Sequence, residues 1–588
     1  MDGRPITLKN THKVKPRGQP NFPAQSYEHE PFVSCLAGLY SGRWQRYQRN
    51  RVKPGKCCCD MIEGIFFMLL TSTFFLWLIF TYLWSQAQND YYAFNEYSFD
   101  NMGFWFQWSI FLLALCSVIV SYISFLMVLA VCLLTNSQQL YLHWIHKMGT
   151  LSFLGVAITA FIMIRTLWHE QWTTVYLSFK VSAPFFHFFS ILLMIFLAWP
   201  VGKHFFQIKK KVLQWLLLAP YLAILLFLFF IPLGMHSPCI REEGTLGPKP
   251  KLIGHRGAPM MAPENTIMSF RKSIEYGAVA LETDVRISYD GVPFLMHDRT
   301  LKRTTNVDAM APEVADIDSS MMNWSRLEKL NAGDWFFEKR PFLSMPRLSP
   351  EDEKLARRQN ISKFSDFLNF ADQENKFVLF DLYRPPKAHP YWDKYIDIAL
   401  EAILHKSKIR HNLVMWLTER NRSYVQSVAP GFQQSSPVLR SVEELQSRKI
   451  NHLNLNYREL SRINIREYKK ANITINLWVI NEPWLFSLAW CYGVHSVTTN
   501  GLHYIKDLNE PLYLMTPQNF MRMWIVTDAF AVVLIGLLFG IHWWREVGAY
   551  CCEVESEESL EEGIYNKFGT RLSILPPVAE DPEALFVE

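Results

Sequence analysis

No long apolar run occurs in the first sixty residues of this 588-residue chain. A cleaved secretory signal needs an early apolar core, so the expectation is an uncleaved N-terminus whose first membrane helix also targets the chain. There is no sustained basic stripe with interleaved aromatics, and the net charge is only +5. Nucleic acid is therefore not an expected partner. Nothing repeats at solenoid periods. The glycine fingerprint of dinucleotide binding is missing as well.

What is present is apolar. Half of the residues belong to the hydrophobic set and 15% are aromatic. A chain of this length exceeds one core, so several units are expected. The small net charge averages unlike parts. Residues 1–60 hold eleven Lys/Arg against four Asp/Glu, whereas the last 43 residues, from Glu546, hold eleven Asp/Glu against two Lys/Arg.

Six stretches are long enough to cross a bilayer, which takes roughly 20 helical residues. They lie near 61–84, 107–134, 147–168, 183–200, 213–234 and 521–543, the fourth being short. The division is a basic tail over 1–60, five spans within 61–235, a soluble domain over 249–505, a sixth span at 521–543 and an acidic tail over 544–588. The tail "RWQRYQRNRVKPGK" and the loop "GKHFFQIKKK" are basic, but the loop after span one ("SQAQNDYYAFNEYSFDNMG") holds no Lys or Arg. The positive-inside rule then puts both termini in the cytoplasm and the soluble domain outside it. This is a multi-pass protein of the plasma membrane or secretory pathway, with the bilayer as one partner. Four N-x-S/T sequons, Asn323, Asn360, Asn421 and Asn472, all fall on the outer side as glycosylation candidates.

The spans carry few ionisable residues, which disfavours a pump. Arg165 lies near a span end and can snorkel. His187 and Asp528 either hydrogen-bond within the bundle or reach the outer interface. Cys57, Cys58, Cys59, Cys551 and Cys552 flank spans on the cytosolic side, as palmitoylation sites or as plain thiols. Cys239 and Cys491 are left outside, where disulfides persist, and are expected to pair.

From Lys251 onward, short apolar runs alternate with amphipathic ones. Strand candidates are "KLIG", "AVALET", "VPFLM", "KFVLF", "LVMWL", either "SPVLR" or "HLNLNY", "TINLWVI" and "HSVTT". This alternation predicts an α/β fold, a (β/α)8 TIM-type barrel inserted between membrane helices five and six; a doubly wound sheet is the runner-up. Barrel chemistry sits at the strand ends. His255 follows the first strand, Glu282 and Asp284 end the second, His297 follows the third, and Asp381 follows "KFVLF". Residues two apart on a strand face one way, so Glu282 and Asp284 would repel unless a cation lay between them. The pattern points to a metal site beside acid–base histidines.

"GHRGAPMMAPENT", "LETDVRISYDGVPFLMHD", "LKRTTN", "LWVIN" and "YGVHSVTTN" resemble segments of the glycerophosphodiester phosphodiesterase family, and the span arrangement resembles its multi-pass membrane branch. The resemblance implies hydrolysis of glycerophosphodiesters, of glycerophosphoinositol type or of glycosylphosphatidylinositol-anchor type, with a divalent cation, Ca2+ or Mg2+. It implies Glu282, Asp284 and Asp381 as metal ligands, His255 and His297 as the acid–base pair, and Arg256 as phosphate clamp. Glu264 and Asn265 support the metal or substrate, or else cap the next helix. Tyr383 and Trp478 are further substrate-side candidates. The family's Glu-x-Lys reads Asp381-Leu382-Tyr383 here, its Trp-Thr-x-Asn reads Trp478-Val479-Ile480-Asn481, and its closing Thr-Asp reads Thr499-Asn500. Those changes bear on metal and phosphate binding. They keep an alternative open: a membrane receptor or scaffold of the same fold with little or no turnover. The oligomeric state has no signature.

Overall fold

The computed structural model describes residues 31–42, 44, 60–136, 138–167 and 171–545. Most of the basic tail, the acidic tail beyond Arg545, and Cys57, Cys58, Cys59, Cys551 and Cys552 lie outside the described residues.

Among the described residues, six helices are long and apolar enough to span a bilayer, which makes this a multi-pass membrane protein. They are Met61–Gln86, Trp108–Thr135, Trp144–Leu167, Gln171–Gln207, Lys211–Phe230 and Pro517–Trp543, spans one to six. The fourth corrects the expected short span. Its 37 residues measure about 55 Å at 1.5 Å per residue, well beyond a hydrocarbon core of about 30 Å. The excess has a use: Leu177 and Val181, near its N-terminal end, join the core of the soluble domain. His187 and Asp528 meet between spans four and six, Nε2 to Oδ1 at 2.9 Å.

The soluble domain lies between spans five and six and contains nine strands: β1 (Lys251–Gly254), β2 (Ala280–Ile287), β3 (Pro293–Leu295), β4 (Phe377–Leu382), β5 (Val414–Trp416), β6 (Gln433–Ser436), β7 (His452–Asn456), β8 (Thr474–Trp478) and β9 (Ser496–Thr499). β1 pairs with both β9 and β2, so eight parallel strands close into a barrel. β3 is the exception. "VPFLM" forms a short antiparallel partner of β2 rather than a barrel stave. The eighth stave is instead β6, whose Gln-Gln-Ser-Ser carries no apolar signal. "SPVLR" begins where β6 ends, and "HLNLNY" supplies β7, so the region offered as one strand yields two.

The surrounding helices follow sequence period. In Phe364–Gln373, the buried Phe364, Phe367, Leu368 and Ala371 recur at one-turn spacing and cover the barrel flank. Cys239, after span five, is joined to Cys491 on the helix Pro483–Tyr492, tying the linker to the barrel. The four sequon asparagines are all exposed on the barrel.

The barrel rests on the bundle through the C-terminal ends of its strands. Tyr457, just past β7, shares a 2.7 Å hydrogen bond with Thr174 of span four. The loop expected after span one is ordered: a short 3-10 turn, Ala87–Asp90, runs into a helix, Tyr91–Met102. This connector packs across the barrel mouth.

Candidate active site

Strand register assembles the first group. Glu282 and Asp284 point the same way from β2, and Asp381 of β4 is the register partner of Asp284. Carboxylate oxygens of the three lie within 4.8 Å of one another. Glu282 and Asp284 are buried, while Asp381 opens to the cavity. Burial, reinforced by Asp284 and Asp381, pushes Glu282 well above the carboxylate range. Burial and Asp284 push Asp381 up to about 6. Asp284 moves the other way, because His297, Arg256 and Asn265 outweigh its burial. Three hard oxygen donors that resist ionising together are a fitting set for Ca2+ or Mg2+.

The turn after β1 delivers the next pair. Gly254 packs so tightly against Ser273 and the Gly257 carbonyl that a Cβ has no room. Arg256 then adopts a left-handed backbone, φ 50°, a conformation that costs on the order of 1–3 kcal/mol. The return is that its N–H donates to Glu282 Oε2 at 2.7 Å, while its guanidinium reaches Asp284 at 3.3 Å and Glu264 at 3.1 Å. His255 donates Nδ1–H to Asn500 Oδ1 at 2.6 Å. His297 donates Nδ1–H to Asp298 at 2.8 Å, and its carbonyl accepts from Arg286 at 2.8 Å.

Behind the lining sits a second carboxylate group. Arg303, fully buried, binds Glu264 at 2.6 Å and 2.9 Å, Asp298 at 2.7 Å and 2.8 Å, and the Tyr92 hydroxyl. Burial would raise the Glu264 pKa, but Arg303 and Arg256 together pull it down to about 2. Glu264 and Asn265 are therefore not part of the cavity wall. Nor do they cap the following helix, whose N-cap is Thr266. Asn265 donates to Asp284 Oδ2 at 3.0 Å and so orients a candidate ligand. Tyr383 does line the cavity and donates its hydroxyl to Asp284 at 3.1 Å. Arg384 stays outside, stacked on Trp392 and bonded to Asp393. Trp478 lines the far end with Asn454, Asn456 and Arg458. Trp335 and Phe336 are core.

The connector from span one closes the mouth over a cavity of about 370 Å³. Asn89 accepts from the Asn481 N–H at 2.7 Å and donates to the Val479 carbonyl at 2.9 Å. Asp90 accepts from Tyr457 at 2.6 Å and Arg458 at 2.9 Å. Tyr92 donates to Glu264 at 2.9 Å. Glu96 pairs with Arg303 at 3.1 Å, Arg256 at 3.4 Å and His297 at 3.5 Å. Tyr92 and Glu96 are one turn apart on one helix face, which aims both into the barrel.

Residues 255–503 match the model of the glycerophosphoryl diester phosphodiesterase family. Glycerophosphodiester phosphodiesterase domain-containing protein 5 of Homo sapiens is 41% identical over 523 residues, covering 89% of this chain and 85% of its own length. The chain belongs to this family. Mouse glycerophosphoinositol inositolphosphodiesterase GDPD2 is 39% identical over 509 residues, 86% of this chain and 93% of that one. Among solved structures, a phosphodiesterase of Oleispira antarctica in complex with the product sn-glycerol-3-phosphate aligns at 19% identity and TM-score 0.35, over 44% of this chain and 95% of its own. Family membership and the barrel together make this chain a glycerophosphodiester phosphodiesterase.

Sequence reasoning brought His255, Arg256, Glu282, Asp284, His297 and Asp381 to the mouth, and the structure places all six around one cavity. It passed over Asn89, Asp90, Tyr92 and Glu96, which lie in a segment read only as a span-to-span loop. Their signal was available: a loop rich in Asn, Asp, Glu and Tyr that holds no Lys or Arg to pair with its three carboxylates, Asp90, Glu96 and Asp100. Arg303, within "LKRTTN", is likewise a site residue with no local sequence signal.

Proposed function

We propose that the chain hydrolyses glycerophosphodiesters on the exoplasmic side of the membrane, using a divalent cation held by Glu282, Asp284 and Asp381. The observation that carries this reading is the convergence of that triad, Arg256, His255 and His297 on one cavity. When bound, the cation supplies Lewis-acid polarisation of a non-bridging phosphate oxygen. Arg256 clamps another such oxygen with its planar guanidinium.

The histidines take distinct roles because their partners differ. His255 faces a neutral amide, and burial together with Arg256 lowers its pKa to about 3. It is the neutral base that receives the proton of the attacking hydroxyl, from water or from a neighbouring substrate hydroxyl. His297 leans on Asp298. Burial and Arg256 oppose its charge, but Asp284, Glu96 and Asp298 outweigh them and raise its pKa. It is the acid that protonates the leaving alkoxide. Each transfer is worth about 10²–10⁴-fold.

The exoplasmic assignment draws support from the charge pattern and from connectivity. The barrel lies on the same side of the bundle as the Lys- and Arg-free connector, opposite the basic "GKHFFQIKKK" loop. The exposed sequons fit glycosylation there. The polar far end of the cavity, with Trp478, Asn454, Asn456 and Arg458, suits a hydroxyl-rich alcohol, in keeping with the inositol named for the mouse relative. The anchor-type alternative has support in the mouth's position, only a few residues beyond the end of span one.

The test is release of glycerol or a phosphomonoester from glycerophosphoinositol by the full chain in lipid nanodiscs, with Ca2+ or Mg2+. Wild type turns over and His297→Ala loses about 10²–10⁴-fold in kcat. Equal background rates in both would leave the receptor or scaffold reading instead.

A further inference from the structure

Glu96 belongs to a membrane-derived helix, yet it touches the residues assigned to phosphate. Its carboxylate stands 3.4 Å from the Arg256 guanidinium and 3.5 Å from His297 Nδ1. The neighbouring charges make its position costly for anions. Glu96 and Glu264 pair with both Arg256 and Arg303, and Asp298 with Arg303, three carboxylates against two guanidiniums. Asp284 adds a fourth carboxylate at Arg256, and His297, when protonated, a third cation at Glu96 and Asp298, so the cluster stays negative by one charge, and Glu96 is the carboxylate brought in from outside the barrel. It is also the member nearest the solvent, at 15% side-chain exposure against 3% for Glu264 and 11% for Asp298.

We infer that Glu96 is a charge filter, a selectivity residue supplied by the connector that favours monoanionic phosphodiesters over dianionic phosphomonoesters. The inference rests on the phosphodiesterase reading above. A phosphodiester enters with one negative charge. Hydrolysis creates a monoester whose second ionisation has a pKa of about 6, so it leaves as a dianion at neutral pH. Glu96 stands 3.4 Å from the Arg256 guanidinium nitrogen, so a ligand oxygen bonded to that nitrogen at about 2.9 Å would lie at most about 6 Å from the carboxylate. At an effective dielectric of about 40, between the surface and bulk-water values, one charge pair at that distance is worth about tenfold in affinity. The dianion pays this twice. Glu96 thus weakens substrate somewhat and product much more, which clears the site for the next turnover.

The test uses two matched anions, dimethyl phosphate (monoanion) and methyl phosphate (dianion), titrated at pH 8 against the full chain in nanodiscs and followed by phosphorus NMR. Glu96→Gln is expected to tighten dimethyl phosphate about tenfold and methyl phosphate about a hundredfold, changing their ratio about tenfold. Glu96→Ala removes the same charge and gives the same ratio, and it carries the measurement if the Gln variant does not fold. Glu96→Asp keeps the charge and the wild-type ratio. An unchanged ratio in the Gln and Ala variants, or the same ratio change in the Asp variant, overturns the filter. Diester turnover by wild type is measured separately. Its absence defeats the phosphodiesterase reading while the anion ratio still reports on Glu96.

Discussion

Two groups of three carboxylates share one barrel mouth, and they are neutralised by different means. Glu264, Asp298 and Glu96 enclose Arg303, and Glu264 and Glu96 also flank Arg256. Glu282, Asp284 and Asp381 crowd one another, and of the three only Asp284 pairs with the Arg256 guanidinium. In the first group the chain supplies its own counter-charge, and Glu264 is ionised down to about pH 2. In the second, burial and mutual repulsion push two members upward. The arginine-bound group is a fixed electrostatic wall, finished when the protein folds. The other has the donor set of a receptacle, which under the proposed function a cation would complete. Arg256 stands at the border between the two groups, the place the proposed function gives to the phosphate.

The largest effect comes from breaking the wall. Arg303→Met strands Glu264 and Asp298 in the interior and should cost about 3–5 kcal/mol, read as a lower melting temperature in nanodiscs. Adding Glu264→Gln to that variant should restore part of the loss, since one stranded charge is gone. The receptacle is probed next. Ca2+ at a hundredfold its Kd should stabilise wild type by about 2.7 kcal/mol. Asp284→Asn should abolish that gain, whereas Glu264→Gln should keep most of it. A cation effect that disappears equally in both variants would erase the distinction between the groups.

The smallest effect is a difference of sign with pH. The Glu264 pKa falls from 4.5 unfolded to about 2 folded. The unfolded chain binds more protons in that window, so this stability is complete above about pH 4.5 and is lost as pH falls toward 2. The Asp381 pKa rises from 3.8 to about 6 without a cation. There the folded chain binds more protons, so stability falls as pH rises from 3.8 to 6. A bound cation displaces those protons and should flatten the second slope only. Melting curves with and without Ca2+ across pH 3–7 check this, with Glu264→Gln and Asp381→Asn assigning each slope to its residue.

The receptacle was legible in the sequence because strand period is local. Glu282 and Asp284 must share a face, and His255 and His297 sit beside glycine or apolar runs that mark strand ends. The wall was not. Arg303 and Glu264 are 39 residues apart and meet through no periodic pattern. Glu96 comes from between spans one and two, 160 residues before Arg256, and only tertiary packing brings it in. Barrel staves show the same limit. β1, β4 and β8 announce themselves as apolar runs. β6, Gln433–Ser436, is all polar and is a strand only because its neighbours impose the ladder and Arg422 binds Gln434 and the Ser435 carbonyl. β3 failed in the opposite direction: its apolar run looked like a stave, but three residues after a tight turn can only fold back on β2. The short reading of span four placed a polar boundary where the helix in fact continues onto the barrel.

Span one runs almost without interruption into the helix that carries Tyr92 and Glu96. A helix turns about 100° with each residue, so adding or deleting a single position between Gln86 and Tyr92 would swing both side chains a quarter-turn away from Arg303. The rotational phase of a lipid-embedded rod is thereby geared to the alignment of a catalytic pocket. Twisting that rod would turn Tyr92 and Glu96 at the barrel mouth.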